Sequence, residues 1–179
     1  MRNKCVVVVG LILTAGAAGC GNRSAPAARP ARIPGTIALP ARDAALLEAV
    51  LRDRLRDADA NTTIFISLGS IETDWKDPPP DFLNRLGDLP YRFKPVSQAR
   101  MPKPFEMESP NRYRGIEDPA TGKRSWICWA EIKEWLSETK ARVDAGVWSG
   151  PLGGGGSVDI FELRDGKWEA TGYEGSWVS

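Results

Sequence analysis

The sequence contains no histidine, and this absence excludes several kinds of catalytic and metal site. Without an imidazole the chain cannot form a Ser–His–Asp triad, a Cys–His pair or a zinc site with histidine ligands. The chain also lacks an excess of either charge, since its formal net charge is +1. A near-neutral chain argues against a protein that holds nucleic acid along a basic face.

The length and composition of the chain predict one folded domain with a tail. The 179 residues are 42% hydrophobic and 26% charged. This length accommodates a single domain, and this composition is that of a globular protein, not of a disordered one.

The first twenty residues have the pattern of a secretory leader. Arg2 and Lys4 form a short basic start, residues 6–13 are apolar, and small residues follow up to Cys20. Basic, apolar and small segments in this order are typical of a cleaved signal peptide. The apolar run is also short for a membrane-spanning helix, which needs about 20 residues.

The segment Ala17-Ala18-Gly19-Cys20 resembles the lipobox of bacterial lipoproteins, although that family usually has leucine where this chain has Ala17. The resemblance implies that residues 1–19 are a signal peptide and that Cys20 is the lipidated first residue of the mature chain. It places the protein in the cell envelope outside the cytosol, held to a membrane by acyl chains. An aspartate after the cysteine favours the inner membrane in enterobacterial lipoproteins, so Gly21 favours the outer one. The alternative is an ordinary cleaved signal with a chance cysteine.

Few cysteines remain once the leader is removed. Cys5 would be lost with it and Cys20 would be acylated, which leaves Cys128 without an intrachain disulfide partner. Cys128 lies in an apolar run, and we interpret it as a buried structural thiol because no histidine is present to activate it.

The mature chain divides into a tether and a domain. Residues 20–40 comprise the lipidated cysteine and a segment rich in Ala, Pro and Arg that cannot bury enough surface to fold alone. From residue 41 the hydrophobic pattern becomes periodic, so residues 41–179 are predicted to form a single domain. Its first element is a helix over 41–58, with an apolar stripe formed by Leu46, Leu47, Val50, Leu51 and Leu55.

The remaining pattern predicts one more helix and several strands. Residues 61–68 and 91–96 favour strands, and residues 97–123 favour a long loop. A short helix near residues 80–87 would be entered at Pro80 and capped by Asp81. Alternating apolar residues predict strands over 125–136, 139–149 and 158–164, and a tight turn at Asp165-Gly166 leads into a strand over 167–171. Residues 176–179 extend the sheet.

These elements predict an α+β domain in which an N-terminal helix and a short second helix pack on a curved antiparallel sheet that ends in a C-terminal meander. The order of elements, and the run 165–169 (Asp-Gly-Lys-Trp-Glu) after a strand ending Phe161-Glu162-Leu163, resemble cystatin-like cone-shaped domains, notably the family of nuclear transport factor two. The resemblance implies a cone that holds a ligand and, in some members, an isomerase or dehydratase that uses a buried carboxylate.

Four acids flank apolar strand residues and are the candidates for such a carboxylate: Glu131, Asp144, Asp159 and Glu162. None forms a recognised pair at a fixed spacing, and Asp144 lies on the polar side of its strand, where solvent is expected. We therefore assign no catalytic residue.

Three tryptophans fall on the polar parity of their strands: Trp129, Trp135 and Trp148. They could form an exposed aromatic patch for a sugar, a peptide or a protein, or they could be covered by the loop at 97–123.

Two other motifs have simpler explanations. The glycine run 153–156 is interpreted as a flexible hairpin connection, since no helix follows to complete a phosphate loop. Glu72, Asp74 and Asp77 lack the spacing of a calcium loop. We predict no metal site and no cofactor.

The sequence favours a lipid-anchored envelope protein that binds a small ligand or an envelope protein and no nucleic acid. The alternative is a cone-domain enzyme. A pocket lined by tryptophan and one carboxylate would favour the enzyme, and exposed aromatic side chains on a filled cone would favour protein recognition.

Overall fold

The fold is taken from a computed structural model, which describes residues 39–56, 58, 60, 62–71, 73–102, 115–150 and 153–178. The leader, Cys20 and all but the end of the tether lie outside these residues. The helices are α1 (Ala41–Arg54) and α2 (Pro80–Asn84), and a 3₁₀ turn covers Val96–Gln98. The strands are β1 (Thr63–Ser67), β2 (Arg92–Pro95), β3 (Glu117–Asp118), β4 (Lys123–Arg124), β5 (Trp126–Ser137), β6 (Lys140–Gly150), β7 (Gly153–Arg164) and β8 (Lys167–Val178).

Six strands form one sheet in the order β2-β1-β5-β6-β7-β8, and β3 and β4 form a separate two-stranded sheet. Strands β5 to β8 are an antiparallel meander, which confirms the predicted α+β class. The sheet is only mostly antiparallel, because β1 pairs in parallel with both β2 and β5. All five residues of β1 are buried, as is typical of a parallel strand covered on both faces.

Helix α1 covers one face of the sheet, here called the helix face. Its five predicted stripe residues are all buried, although the helix ends at Arg54 and not near residue 58. They pack against apolar side chains from β1, β5, β6 and β7, among them Ile64, Cys128, Ala130, Val143 and Phe161. This cluster is the main core of the domain.

Helix α2 packs on the same core through Phe82, which is 2% exposed. The prediction that Asp81 caps this helix is wrong. Pro79 occupies the N-cap position and Pro80 begins the helix, so Asp81 lies within the first turn. Proline suits this place because its fixed φ fits the first turn and its missing N–H would have had no helical acceptor.

The turn between β7 and β8 follows the sequence prediction. Asp165 and Gly166 both have positive φ, at 50° and 77°. This is the geometry of a two-residue hairpin turn, which Asp-Gly tolerates well. Strand β8 then runs without interruption to Val178, whereas two separate pieces were predicted.

Candidate functional site

The three tryptophans proposed as a patch do not share a surface. Trp129 is fully buried, and Trp148 lies half-buried on the same side of the sheet, opposite the helices and here called the outer face. Trp135 lies on the helix face. The interpretation of these three residues as one exposed patch is therefore wrong.

A β-bulge explains why Trp135 lies on the helix face and not on the face predicted from the sequence. Ile132 pairs with Val143 and Glu134 pairs with Arg142, so Lys133 is an extra residue in β5. An extra residue reverses the side on which all later side chains lie. Simple alternation along the sequence assigns Trp135 to the face of Trp129, and the bulge moves it to the other.

On the helix face, Trp135 becomes part of the cover over the core. Its ring meets that of Trp168 edge to face at 5.6 Å between centroids, and the guanidinium of Arg42 lies 3.7 Å above it. Both contacts are typical of aromatic side chains that seal the margin of a core.

Four tryptophans instead gather on the outer face, and we call them the tryptophan cluster: Trp75, Trp129, Trp148 and Trp177. Trp129 stacks on Trp177 at 5.8 Å, and Trp75 contacts the rings of Trp129 and Trp148 at 6.0 and 6.2 Å. Sequence analysis missed Trp75 and Trp177 because they lie far along the chain from β5, and only the sheet brings them together.

The glycine run is part of this arrangement and is not a flexible connection. Residues 153–156 form the first part of β7, paired with β6. A Cβ on Gly156 would lie 2.8 Å from the ring of Trp129, and one on Gly146 would lie 2.5 Å from it. Glycine is needed in these strands because the indole ring occupies the space of their side chains.

A pocket of about 200 Å³ opens at the end of α1, on the helix face. Its wall is mainly apolar, with Leu55, Ile64, Val147 and the half-exposed Trp126, and Arg54 is the one charged residue among the described residues that line it. We call this the helix-face pocket. An apolar wall with one placed polar group is typical of a site for a small ligand.

Arg54 is fixed by acidic and hydroxyl partners on β7. Its guanidinium forms an ion pair with Asp159 and donates to the hydroxyl of Ser157 at 2.6 Å. That hydroxyl in turn donates to the Asp159 carboxylate at 3.0 Å. Among the described residues, the buried Nε of Arg54 has no hydrogen-bond partner.

The other candidate acids have cationic neighbours or lie buried in the sheet. Glu131 lies within 4.0 Å of both Lys76 and Lys133, and Glu162 lies 2.7 Å from Arg164. Asp144 is 7% exposed, so the expectation that it faces solvent is wrong. It lies directly across from Glu131 on the outer face.

Cys128 lies on the helix face and is fully buried, as predicted. Burial raises the pKa of its thiol to about 12, because a thiolate would lose its hydration, although the charge of Arg54 opposes the shift. The thiol therefore stays protonated at neutral pH. Such a group packs as a small apolar side chain.

The acidic bend near residue 74 has a structural role. Asp77 accepts a hydrogen bond from the backbone N–H of Ser97 at 2.8 Å, whereas Glu72 lies outside the described residues. Within the described parts of the chain, no group of three or more acidic or cysteine side chains is placed to hold a metal ion. None of the helices in those parts is long and apolar enough to cross a bilayer.

Comparison with protein-family models, curated proteins and solved structures finds no match for this chain.

Proposed function

We propose that this chain is a lipid-anchored protein of the bacterial cell envelope whose domain binds a small ligand. The observation that carries the anchor is the segment Ala17-Ala18-Gly19-Cys20 after a basic and apolar leader. Acylation of Cys20 would leave residues 21–40 as a tether between the membrane and the domain. Gly21 supports the outer membrane as the destination.

Metabolic labelling with an alkyne analogue of palmitate tests the anchor. We expect label on the wild-type protein and none on Cys20→Ala, with the unprocessed leader retained in that variant. Cys5→Ala and Cys128→Ala are matched controls and should be labelled like the wild type. Equal labelling of Cys20→Ala, or intact leader on soluble wild-type protein, would contradict the proposal.

The helix-face pocket is the ligand site that the geometry supports best. Its volume of about 200 Å³ suits a compact molecule. Trp126 and Val147 would contact an apolar body, and Arg54, whose side chain is 24% exposed, would supply a positive charge for an acceptor on the ligand. We infer a small apolar molecule that carries a carbonyl or carboxylate group.

The contacts and the burial of the two side chains that could be reactive favour ligand binding over catalysis. Asp159 is the candidate acid on the helix face, but its carboxylate forms an ion pair with Arg54 and accepts a hydrogen bond from Ser157, and these contacts give it a structural role. The Cys128 thiol is protonated and buried. The enzyme alternative would gain support if Asp159→Asn abolished a measured turnover while ligand binding persisted.

Isothermal titration calorimetry with 2-naphthoate as the ligand tests the helix-face pocket. We expect Val147→Phe to weaken binding at least about tenfold, because the larger side chain fills the cavity. Val178→Phe makes the same change at a residue that is 86% exposed and should bind like the wild type. Absence of binding, or equal binding by Val147→Phe, would refute this site.

A further inference from the structure

A second concavity lies on the outer face, beside the tryptophan cluster. This groove has a volume of about 360 Å³, within the range of ligand sites. Strands β5 to β8 all contribute to it, and the residues that line it include Lys133, Asp144, Val158, Glu174 and Trp177.

We propose that this groove binds a sugar unit of an uncharged glycan. Trp177 is half-buried and stacked on Trp129, with 14° between the ring planes. The stack holds the indole in place before any ligand arrives. A flat, immobile aromatic ring is the surface on which the C–H face of a pyranose packs, because that face of the sugar is apolar.

The polar lining matches the rest of a sugar. A pyranose presents hydroxyl groups around its rim, and each can donate and accept hydrogen bonds. The groove offers the carboxylates of Asp144 and Glu174 and the ammonium of Lys133. Acceptors and donors therefore surround one aromatic ring.

These polar groups are held by neighbouring side chains. Arg142 donates to Glu174 at 3.0 Å and to Glu134 at 2.6 Å. The ammonium of Lys133 donates to Glu131 at 3.4 Å. Such contacts reduce the entropy that ligand binding must remove from the side chains.

The charged groups that line the groove and the strand pairing of its floor both bear on which class of ligand it binds. The carboxylates of Asp144 and Glu174 are balanced by Lys133 and by Arg142, which contacts Glu174, so these groups carry no net charge to attract an anionic glycan. Strands β6 and β7 in the floor are each paired on both sides. A peptide could not add to them as a strand and could do so only at the edge of β8, beside the groove and not across its floor.

Nuclear magnetic resonance of the purified full chain tests the proposal, with maltotetraose and the tetramer of N-acetylglucosamine as neutral probes. We expect one of them to shift the indole N–H signal of Trp177 and to leave that of Trp168 in place. Trp177→Ala should weaken binding about tenfold or more, as expected for loss of the stacking surface. Trp168→Ala is the matched control, since Trp168 lies on the helix face of the same strand.

Variants at two exposed positions test the proposal even if Trp177→Ala does not fold. Glu174→Gln and Lys133→Met change the polar lining at the surface and should each weaken binding several-fold. Failure of both neutral probes to bind, tighter binding of tetragalacturonate, or selection of peptides over sugars would overturn the proposal. The naphthoate titration reports on the opposite face of the sheet, so the two proposals fail independently.

Discussion

Gly146 lies beneath the ring of Trp129, and the two residues are direct cross-strand partners in β5 and β6. A Cβ at position 146 would lie 2.5 Å from the Trp129 ring and 2.4 Å from the carbonyl oxygen of Gly155. Gly156 and Trp177 continue the same row across β7 and β8. In this row, two large rings rest on two residues without side chains.

This relationship predicts that Gly146→Ala destabilises the domain. The added methyl group meets a ring and a backbone oxygen that cannot both move away, so we expect a loss of about 1–3 kcal/mol in the free energy of unfolding. Urea unfolding measures the loss, and near-ultraviolet circular dichroism should show a changed tryptophan signal. Gly175→Ala is the control, because a Cβ there has no neighbour within 4 Å. Equal stability of the two variants would show that the rings do not need the space.

The ion pair beneath the helix-face pocket predicts a cost for Asp159→Asn. Its partner Arg54 is 24% exposed, and removing the carboxylate leaves the guanidinium largely desolvated without a counter-charge. We expect roughly 1–3 kcal/mol of lost stability, below the 3–5 kcal/mol typical of a fully buried pair. Glu162→Gln breaks an exposed pair with Arg164 and should cost under about 1 kcal/mol. Thermal unfolding of both variants compares them, and similar losses would contradict the assigned role of Arg54.

Asp118 predicts a specific sensitivity to acid. Its carboxylate is 1% exposed and accepts hydrogen bonds from Lys94, Thr63 and the N–H of Ala120. The hydrogen bond from Lys94 is the main reason that its pKa is lowered. Because the folded pKa is below the unfolded one, Asp118 stabilises the fold fully above the unfolded value of about 3.9, and this contribution is lost as the pH falls through the lower folded value.

Urea unfolding of Asp118→Asn at pH 7 and pH 3 tests that sensitivity. The variant should be less stable than the wild type at pH 7, and the difference should shrink at pH 3. Asp165→Asn makes the same change in an exposed turn that accepts asparagine, and it should alter stability little at either pH. A difference between Asp118→Asn and wild type that stays constant with pH would argue against the Lys94 contact.

Cys128 is expected to resist alkylation. With a pKa of about 12, only about one thiol in ten thousand is ionised at pH 8, and the sulfur is also shielded from solvent. Iodoacetamide treatment followed by peptide mapping should find Cys128 unmodified in the folded protein and alkylated in guanidinium chloride. Rapid modification of the folded protein would mean that the core opens at β5.

Local sequence was sufficient where neighbours along the chain decide the structure. The stripe from Leu46 to Leu55 predicts the buried side of α1 because residues three and four apart share a helix face. The turn at Asp165-Gly166 follows from two residues that tolerate positive φ. The alternation in β6 likewise predicts that Val143 and Ala145 face the core.

Local sequence failed where a residue's position depends on its partners in the sheet. Alternation placed Trp135 beside Trp129, and the bulge at Lys133, which only the pairing with β6 reveals, reverses it. The sequence indicates a connection at the glycine run because no helix follows to complete a phosphate loop, whereas the glycines lie in β7 because a ring from β5 occupies the space of their side chains. The parallel pairing of β1 was not predicted either, because strand order is not encoded in the local pattern.

The same distinction between local sequence and tertiary structure applies to the candidate sites. The residues of the lipobox are contiguous, so the sequence by itself determined the hypothesis that Cys20 is acylated, along with the α+β class and the absence of histidine chemistry. Only the tertiary structure placed Arg54 against Asp159 and brought Trp177 beside Asp144. These contacts join residues far apart in the chain, and their geometry is set by register, bulges and helix packing that no single segment specifies.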